Sequence, residues 1–242
     1  MDADLPRYLQ QLWGRDTARR RGPKPTLSLQ EIGRAAVDVA DRDGLDAVSM
    51  KAMATHLDVS TMSLYRYLDS KDELLSLMLH VAYGRPDLPP APDWRTGVEQ
   101  WASALAARLI EHPWIVSVPL AEPPLEPNPL RWTEAGLAAL AGTGLPLPRQ
   151  LSTLLVIDGY VRSQTALSLQ IGAVGAHRKP SVQPGTYGQR MAALVDPASF
   201  PHLSQSGAAS PEPDFHTTQY TFGLALILDG LAALIQRTRE LD

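Results

Sequence analysis

Between Ala47 and Tyr67 the chain reads AVSMKAMATHLDVSTMSLYRY, and the break in the middle of this stretch limits what it can become. Met53, Ala54 and Leu57 form an apolar edge at helical spacing, and Leu64 and Leu68 form a second one. Asp58-Val59 between them leaves room only for a tight turn. Each half carries its own start signal. Ser49 precedes Met50-Lys51-Ala52 and Ser60 precedes Thr61-Met62-Ser63, so each hydroxyl can accept from a free amide of the first turn. The pattern is a helix-turn-helix. With Leu64 and Leu68 turned inward, Thr61, Met62, Ser63 and Tyr65 remain on the outer, N-terminal part of the second helix, the part that enters a DNA major groove. Hydroxyls there can bond to bases or phosphates, and Met62 can touch a thymine methyl. Taken alone, the pair could also be two ordinary core helices, and Asp58 has to adopt a left-handed conformation that glycine takes more easily.

The surroundings favour the DNA reading. Ser28-Leu29-Gln30-Glu31 is a capping box that opens a helix over Glu31 to Arg42, with Ile32, Ala36, Val39 and Ala40 on one face and Gly44 at its end. Another helix follows from Lys71 to Tyr83, with Leu74, Leu75, Met78 and Leu79 as its packed face and Asp72-Glu73 in its first turn. The run from Leu27 to Leu79, above all VSTMSLYRY at 59–67 followed by SKDELL at 70–75, resembles the DNA-binding domain of the tetracycline-repressor (TetR) family of bacterial transcription regulators. The resemblance implies that Tyr65 and Lys71 touch DNA phosphates and that Thr61, Met62 and Ser63 are the recognition positions. Asp58 departs from the family's usual glycine.

A net charge of −4 rules out a generally basic nucleic-acid coat, so DNA contact requires a local concentration of positive charge. One lies just before the capped helix. Arg15, Arg19, Arg20, Arg21 and Lys24 share a stretch whose only acid is Asp16, and Gly22-Pro23-Lys24-Pro25 keeps it extended. As a basic arm over residues 1–26 it could follow phosphates or enter a minor groove; as a solvated tail it would do neither. Beside a DNA-binding head, phosphate contact is the favoured reading. The segment before it carries Leu5, Leu9, Leu12 and Trp13, enough for a helical turn or two. The DNA-facing set is therefore Arg19, Arg20, Arg21, Lys24, Ser49, Lys51, Ser60, Thr61, Met62, Ser63, Tyr65, Tyr67 and Lys71.

The head spans residues 27–84. Arg85 to Pro92 holds four prolines and forms a stiff connector to a second, helical domain over 93–242. Asp93 caps a helix over Trp94 to Glu111, and Asn128 caps the next, with Pro129 at its first position and Gly142 at its end. A third helix runs from Pro148 to about Ile171. Residues 172–214 are rich in Gly, Pro, Ser and Ala, with room for a short helix from Tyr187 to Val195. The last helix, His216 to Arg239, is apolar on two sides. Leu224, Ile227, Leu228, Leu231, Leu234 and Ile235 make one stripe, while Gly223, Leu226, Gly230 and Ala233 make another, small enough for close helix approach. One side suits the chain's own core and the other a second copy of the chain, unless the whole helix is buried in a monomer. The fold class is all-α.

The second domain resembles the tetracycline-repressor C-terminal domain at His112-Pro113-Trp114, at NPLRWTEAGL over 128–137, and at Phe222-Gly223-Leu224 with Leu228-Asp229-Gly230-Leu231. This implies a homodimeric repressor that binds a palindromic operator and is released by a small-molecule effector. No effector residue transfers by motif. Trp101, His112, Trp114, Trp132, Tyr160 and Arg162 are the candidates, although aromatic residues at helical spacing are more often core, and Asp158 with Arg162 is more simply an i,i+4 pair.

The other readings are a helical interaction module without ligand response and an enzyme. The six histidines show no metal-ligand spacing, no G-x-S-x-G elbow or glycine-rich phosphate loop appears, and Asp41, Asp43 and Asp46 look solvated. No cofactor is expected. The absence of cysteine excludes disulfides and thiolate sites. No apolar run approaches the ~18 residues of a membrane span, and MDADLPRYLQQLW lacks the basic start of a secretion signal, so a cytoplasmic protein is expected.

Overall fold

The structure is a computed structural model that describes residues 5–15, 27–119, 122–174, 187–206 and 215–240, and among these every regular element is helical. In the head, α2 (Leu29–Asp43) starts on the expected box: the Glu31 amide donates to Ser28 Oγ at 3.2 Å and the Ser28 amide to Glu31 Oε2 at 2.7 Å. Ser49 caps α3 (Met50–His56), Ser60 caps the single turn α4 (Thr61–Leu64), and Ser70 caps α5 (Lys71–Tyr83), each through the amide three residues on. Such caps contribute about 1 kcal/mol apiece, which matters most for α4, too short to hold itself together. Asp58 takes the left-handed conformation, φ +52°, that the turn demands. Ile32, Met53, Leu64, Leu68, Leu74 and Met78 close the core of this unit.

A segment without regular structure, 84–93, leads to α6 (Trp94–Glu111), capped by Asp93 as expected. Next come α7 (Pro127–Leu140), α8 (Leu147–Gln170), the short α9 (Tyr187–Leu194) and α10 (Phe215–Arg239). α6 packs against α7 and α8, and α8 against α10.

The start of α7 differs from expectation. Glu126 stands at its N-cap without a side-chain bond to the first turn, Pro127 takes the first position, and Asn128 lies inside the helix. The Asn128 amide group is used elsewhere: Nδ2 donates to the His80 carbonyl at 2.8 Å. Trp132 Nε1 reaches the carbonyls of Tyr83 and Gly84 at 3.2 and 3.3 Å. The last turn of any α-helix leaves carbonyls without intrahelical partners, and α7 supplies donors to those of α5. The last helix of the head is thereby joined to the C-terminal domain.

The N-terminal segment also finds its seat there. α1 (Arg7–Leu12) buries Tyr8 and Leu9; the Tyr8 hydroxyl donates to Glu126 Oε1 at 2.7 Å, and Trp13 Nε1 donates to the Leu125 carbonyl at 2.9 Å. Glu126 is 3% exposed. Burial, reinforced by that carboxylate, pushes the Tyr8 phenol well above its ordinary range and keeps it a donor. Tyr8 and Leu9 thus belong to the core, and residues 5–13 are docked and not part of a loose arm.

α8 and α10 each bury one face and expose another that is also apolar. On α8, Leu154, Ile157 and Val161 are buried, whereas Leu151, Leu155, Val156 and Leu167 are exposed. On α10, Leu224, Leu228, Leu231 and Ile235 are buried, and Phe222, Leu226, Gly230 and Ala233 are exposed. Gly223 does not belong with that exposed set: a Cβ there would come 2.7 Å from the Tyr160 ring of α8, so its missing side chain serves a contact within the chain. By length and composition Thr217–Arg239 is apolar enough to cross a membrane, contrary to the expectation that no run approaches such a span. Its Asp229 pairs with Arg95 of α6 at 2.8 Å.

Candidate nucleic-acid interface

The cap on Ser60 fixes which way α4 faces. Leu64 (1% exposed) and Leu68 point into the head, while Met62 (73%) and Tyr65 (44%) stand outside. Thr61 and Ser63 are half-buried on the same turn, and Lys51 of α3 and Lys71 at the start of α5 are exposed. The hydroxyls of Ser60 and Ser63 lie 2.8 Å apart, and Ser49 Oγ accepts from the Ala52 amide. Ser49 and Ser60 therefore use part of their hydrogen-bonding capacity in building the site.

Tyr67 is half-buried, packs on the core, and lines a cleft of about 820 Å³ with Leu27, Leu77 and Pro127, near the junction with the C-terminal domain. Arg66 was not anticipated; it is exposed beside Tyr65 and carries no ion pair among the described residues. Arg19, Arg20, Arg21 and Lys24 lie outside the described residues.

The six effector candidates are engaged in other work. Trp101 Nε1 donates to the Trp132 carbonyl at 2.8 Å, and Trp132 to the end of α5. Tyr160 donates to backbone carbonyls of α10. Trp114 Nε1 and His112 Nδ1 both meet the Asp41 carboxylate at the end of α2, at 2.7 and 2.9 Å. Asp41, although partly solvated, is consequently a clasp between head and C-terminal domain. Arg162 bonds Asp158 at 2.8 Å and also the Tyr83 hydroxyl, linking the last residue of α5 to α8. Burial raises the Tyr83 phenol despite the neighbouring guanidinium, so it stays neutral.

Of the six, only Trp114 borders either of the two clefts that flank the junction. The second cleft, about 690 Å³, runs between Asp41–Asp46 and the turn of Pro113 and Trp114. The first presents Arg34, Arg85 and Arg131 together with His80, whose imidazole is lowered to about 4 by burial and then by the charge of Arg131. Where α6, α7 and α8 meet, packing is close: a Cβ on Gly136 would lie 2.7 Å from Leu154. Thr165 is buried on α8 with no partner for its hydroxyl among the described residues.

A capped helix pair that turns a small outward face away from the core, carried on a helix gripped by a separate helical domain, defines a helix-turn-helix regulator. Residues 32–78 match the bacterial regulatory proteins of the tetR family and residues 85–235 the tetracyclin repressor-like C-terminal domain, and the chain belongs to that family. It is similar to the HTH-type transcriptional repressor DrrR1 of Streptomyces coeruleorubidus, 35% identical over 98% of this chain and 88% of that protein. The HTH-type transcriptional repressor Rv1353c of Mycobacterium tuberculosis is 25% identical over 92% and 87%. Among solved structures, ActR of Streptomyces coelicolor in complex with actinorhodin shares the fold with a TM-score of 0.71, at 23% identity over 88% of this chain and 99% of that one. The family consists of regulators, which removes the enzyme reading.

Proposed function

We propose that the chain is a repressor that binds a palindromic operator as a homodimer and lets go when a small molecule enters its C-terminal domain. The observation that carries the reading is the outward turn of α4, with Met62 and Tyr65 in solvent over a buried Leu64. Similarity to the repressor DrrR1 over nearly the whole chain supports repression, and the ActR complex supports a small-molecule effector. The head at 27–84 meets DNA through Ser49, Lys51, Ser60, Thr61, Met62, Ser63, Tyr65, Tyr67 and Lys71, and the arginines and lysine of the arm add phosphate contacts.

The exposed stripes of α8 and α10 supply the subunit contact. Leu151, Leu155 and Val156 beside Phe222 and Leu226 are too many large apolar groups for a free surface, and Gly230 and Ala233 allow helices to approach closely. This gives Thr217–Arg239 a protein neighbour in place of lipid, with the chain at work in the cytoplasm.

The effector acts through α5, whose end is held by Asn128, Trp132 and Arg162. Two recognition helices on one duplex must stand about 34–36 Å apart, and moving a population from 1:99 to 99:1 takes about 5.5 kcal/mol of differential affinity. The test is selection of duplexes from a random pool by the full chain, with sedimentation of the complex and titration of actinorhodin as first trial compound. Two subunits per palindromic duplex are expected, and any releasing compound should bind more weakly when operator is present. Binding as a monomer, or equal compound affinity with and without operator, would overturn the corresponding part.

A further inference from the structure

The outward face of α4 lacks the groups that read bases by paired hydrogen bonds. Between Val59 and Tyr65 there is no arginine, lysine, asparagine, glutamine or carboxylate, and those are the side chains that recognise guanine, adenine or cytosine bidentately in the major groove. The hydroxyls present are partly committed, since Ser60 Oγ accepts from the Ser63 amide at 3.1 Å and lies 2.8 Å from Ser63 Oγ. What projects furthest is a thioether: Met62 is 73% exposed, at the second position of the turn. An unbranched, polarizable side chain left in water suits an apolar partner of variable position. The only apolar group that a base pair offers in the major groove is the thymine C5-methyl.

Resting on the DNA-binding reading, we propose that Met62 is the specificity-determining residue and that it selects thymine methyl groups, so that base discrimination by α4 is chiefly apolar. Tyr65, Lys51 and Lys71, exposed around the same turn, and Arg66, which lies past the end of α4, hold the backbone and set the register but do not choose the base. The operator half-sites should then carry thymine at the positions under Met62, and removal of the methyl should be felt although no hydrogen bond changes.

The test uses the full chain and a duplex that it selects from a random pool, followed by uracil in place of thymine at one half-site position at a time. Uracil keeps every hydrogen-bonding group and lacks only the methyl. At one or two positions per half-site, affinity should fall about three- to five-fold per methyl, the scale of one buried methyl-sized group. Met62→Ala should lose a similar factor on the thymine duplex and show no further loss on the uracil duplex, whereas Met62→Leu should keep most of the thymine preference. Because the side chain is exposed, these variants leave the core of the head untouched. Selection of a duplex followed by indifference to uracil at every position overturns the proposal alone. So does a uracil effect that persists undiminished in Met62→Ala. Failure to select any duplex overturns the DNA-binding reading and this proposal with it.

Discussion

Replacing Asp41 by alanine removes the acceptor shared by Trp114 and His112, and with it the clasp between the end of α2 and the turn after α6. Trp114 is buried, so its indole N–H loses a 2.7 Å bond without an obvious substitute. A buried donor left unmet costs about 1–3 kcal/mol. The His112 contact adds less, because the Asp41 side chain keeps 32% of its surface in solvent and exposed ion pairs are weak. The 690 Å³ cleft beside the carboxylate lets water reach the orphaned groups, which pulls the sum towards the low end. A loss of about 1–2 kcal/mol is expected, roughly a 5- to 30-fold rise in the unclasped population. Asp41→Asn should lose less, since its amide oxygen still accepts from Trp114. Urea unfolding, followed both by tryptophan fluorescence and by far-ultraviolet dichroism, reads the effect. The wild-type transitions should coincide, and those of Asp41→Ala should shift down and separate as head and C-terminal domain uncouple. An Asp41→Ala midpoint equal to wild type, with coincident curves, would show that the clasp contributes nothing to domain coupling.

Other consequences are open to measurement. Substituting Arg19, Arg20 and Arg21 together by alanine should weaken all duplexes alike and flatten the salt slope by up to about 3, as phosphate neutralisation is sequence-blind; an unchanged slope would leave the arm out of the complex. Point substitutions keep Tyr8 in place, whose loss in a deletion of residues 1–24 would leave Glu126 buried without its donor. Leu155→Glu or Leu226→Glu should put charge into the proposed dry helix contact and give a monomer by sedimentation; an intact dimer would place the interface elsewhere. His80 is neutral in the fold, with its pKa lowered to about 4 against an ordinary 6.5. The unfolded chain therefore takes up a proton that the folded one refuses, and stability should fall as pH drops from about 6.5 towards 4. After discounting for partial exposure this amounts to about 1–2 kcal/mol, and His80→Gln should flatten the dependence of urea midpoint on pH.

The head was legible in the sequence because its signals are local. Each serine cap acts on the amide three residues on, and the inward turn of Leu64 and Leu68 follows from their spacing. The C-terminal domain was legible as helices but not as a site. The tryptophans chosen for a ligand are aromatic groups with one polar atom, and their partners lie far along the chain: Asp41 for Trp114, the end of α5 for Trp132. No periodicity reveals such a partner. Asn128 was misread for the same reason, because a residue with cap chemistry beside a proline gives no sign that a carbonyl of another helix will claim its side chain. Gly223 looked like its neighbours in a stripe of small residues, and only the Tyr160 ring against it tells which way it faces.

The contact between Tyr8 and Glu126 also sets an order of events during synthesis. The two residues stand 118 positions apart, so the first helix leaves the ribosome long before the partner of its hydroxyl exists. At roughly 5–20 residues per second that interval is on the order of 6–24 s, ample for the head between Ser28 and Tyr83 to form around its own core. α1 is thus translated before every other described helix and is among the last of them to be seated, and until α7 arrives its Leu9 and Tyr8 are surface that a chaperone or a neighbouring nascent chain can bind. A tag or fusion placed ahead of Leu5 acts on that waiting interval, and its effect should appear in the yield of folded protein before it appears in DNA affinity.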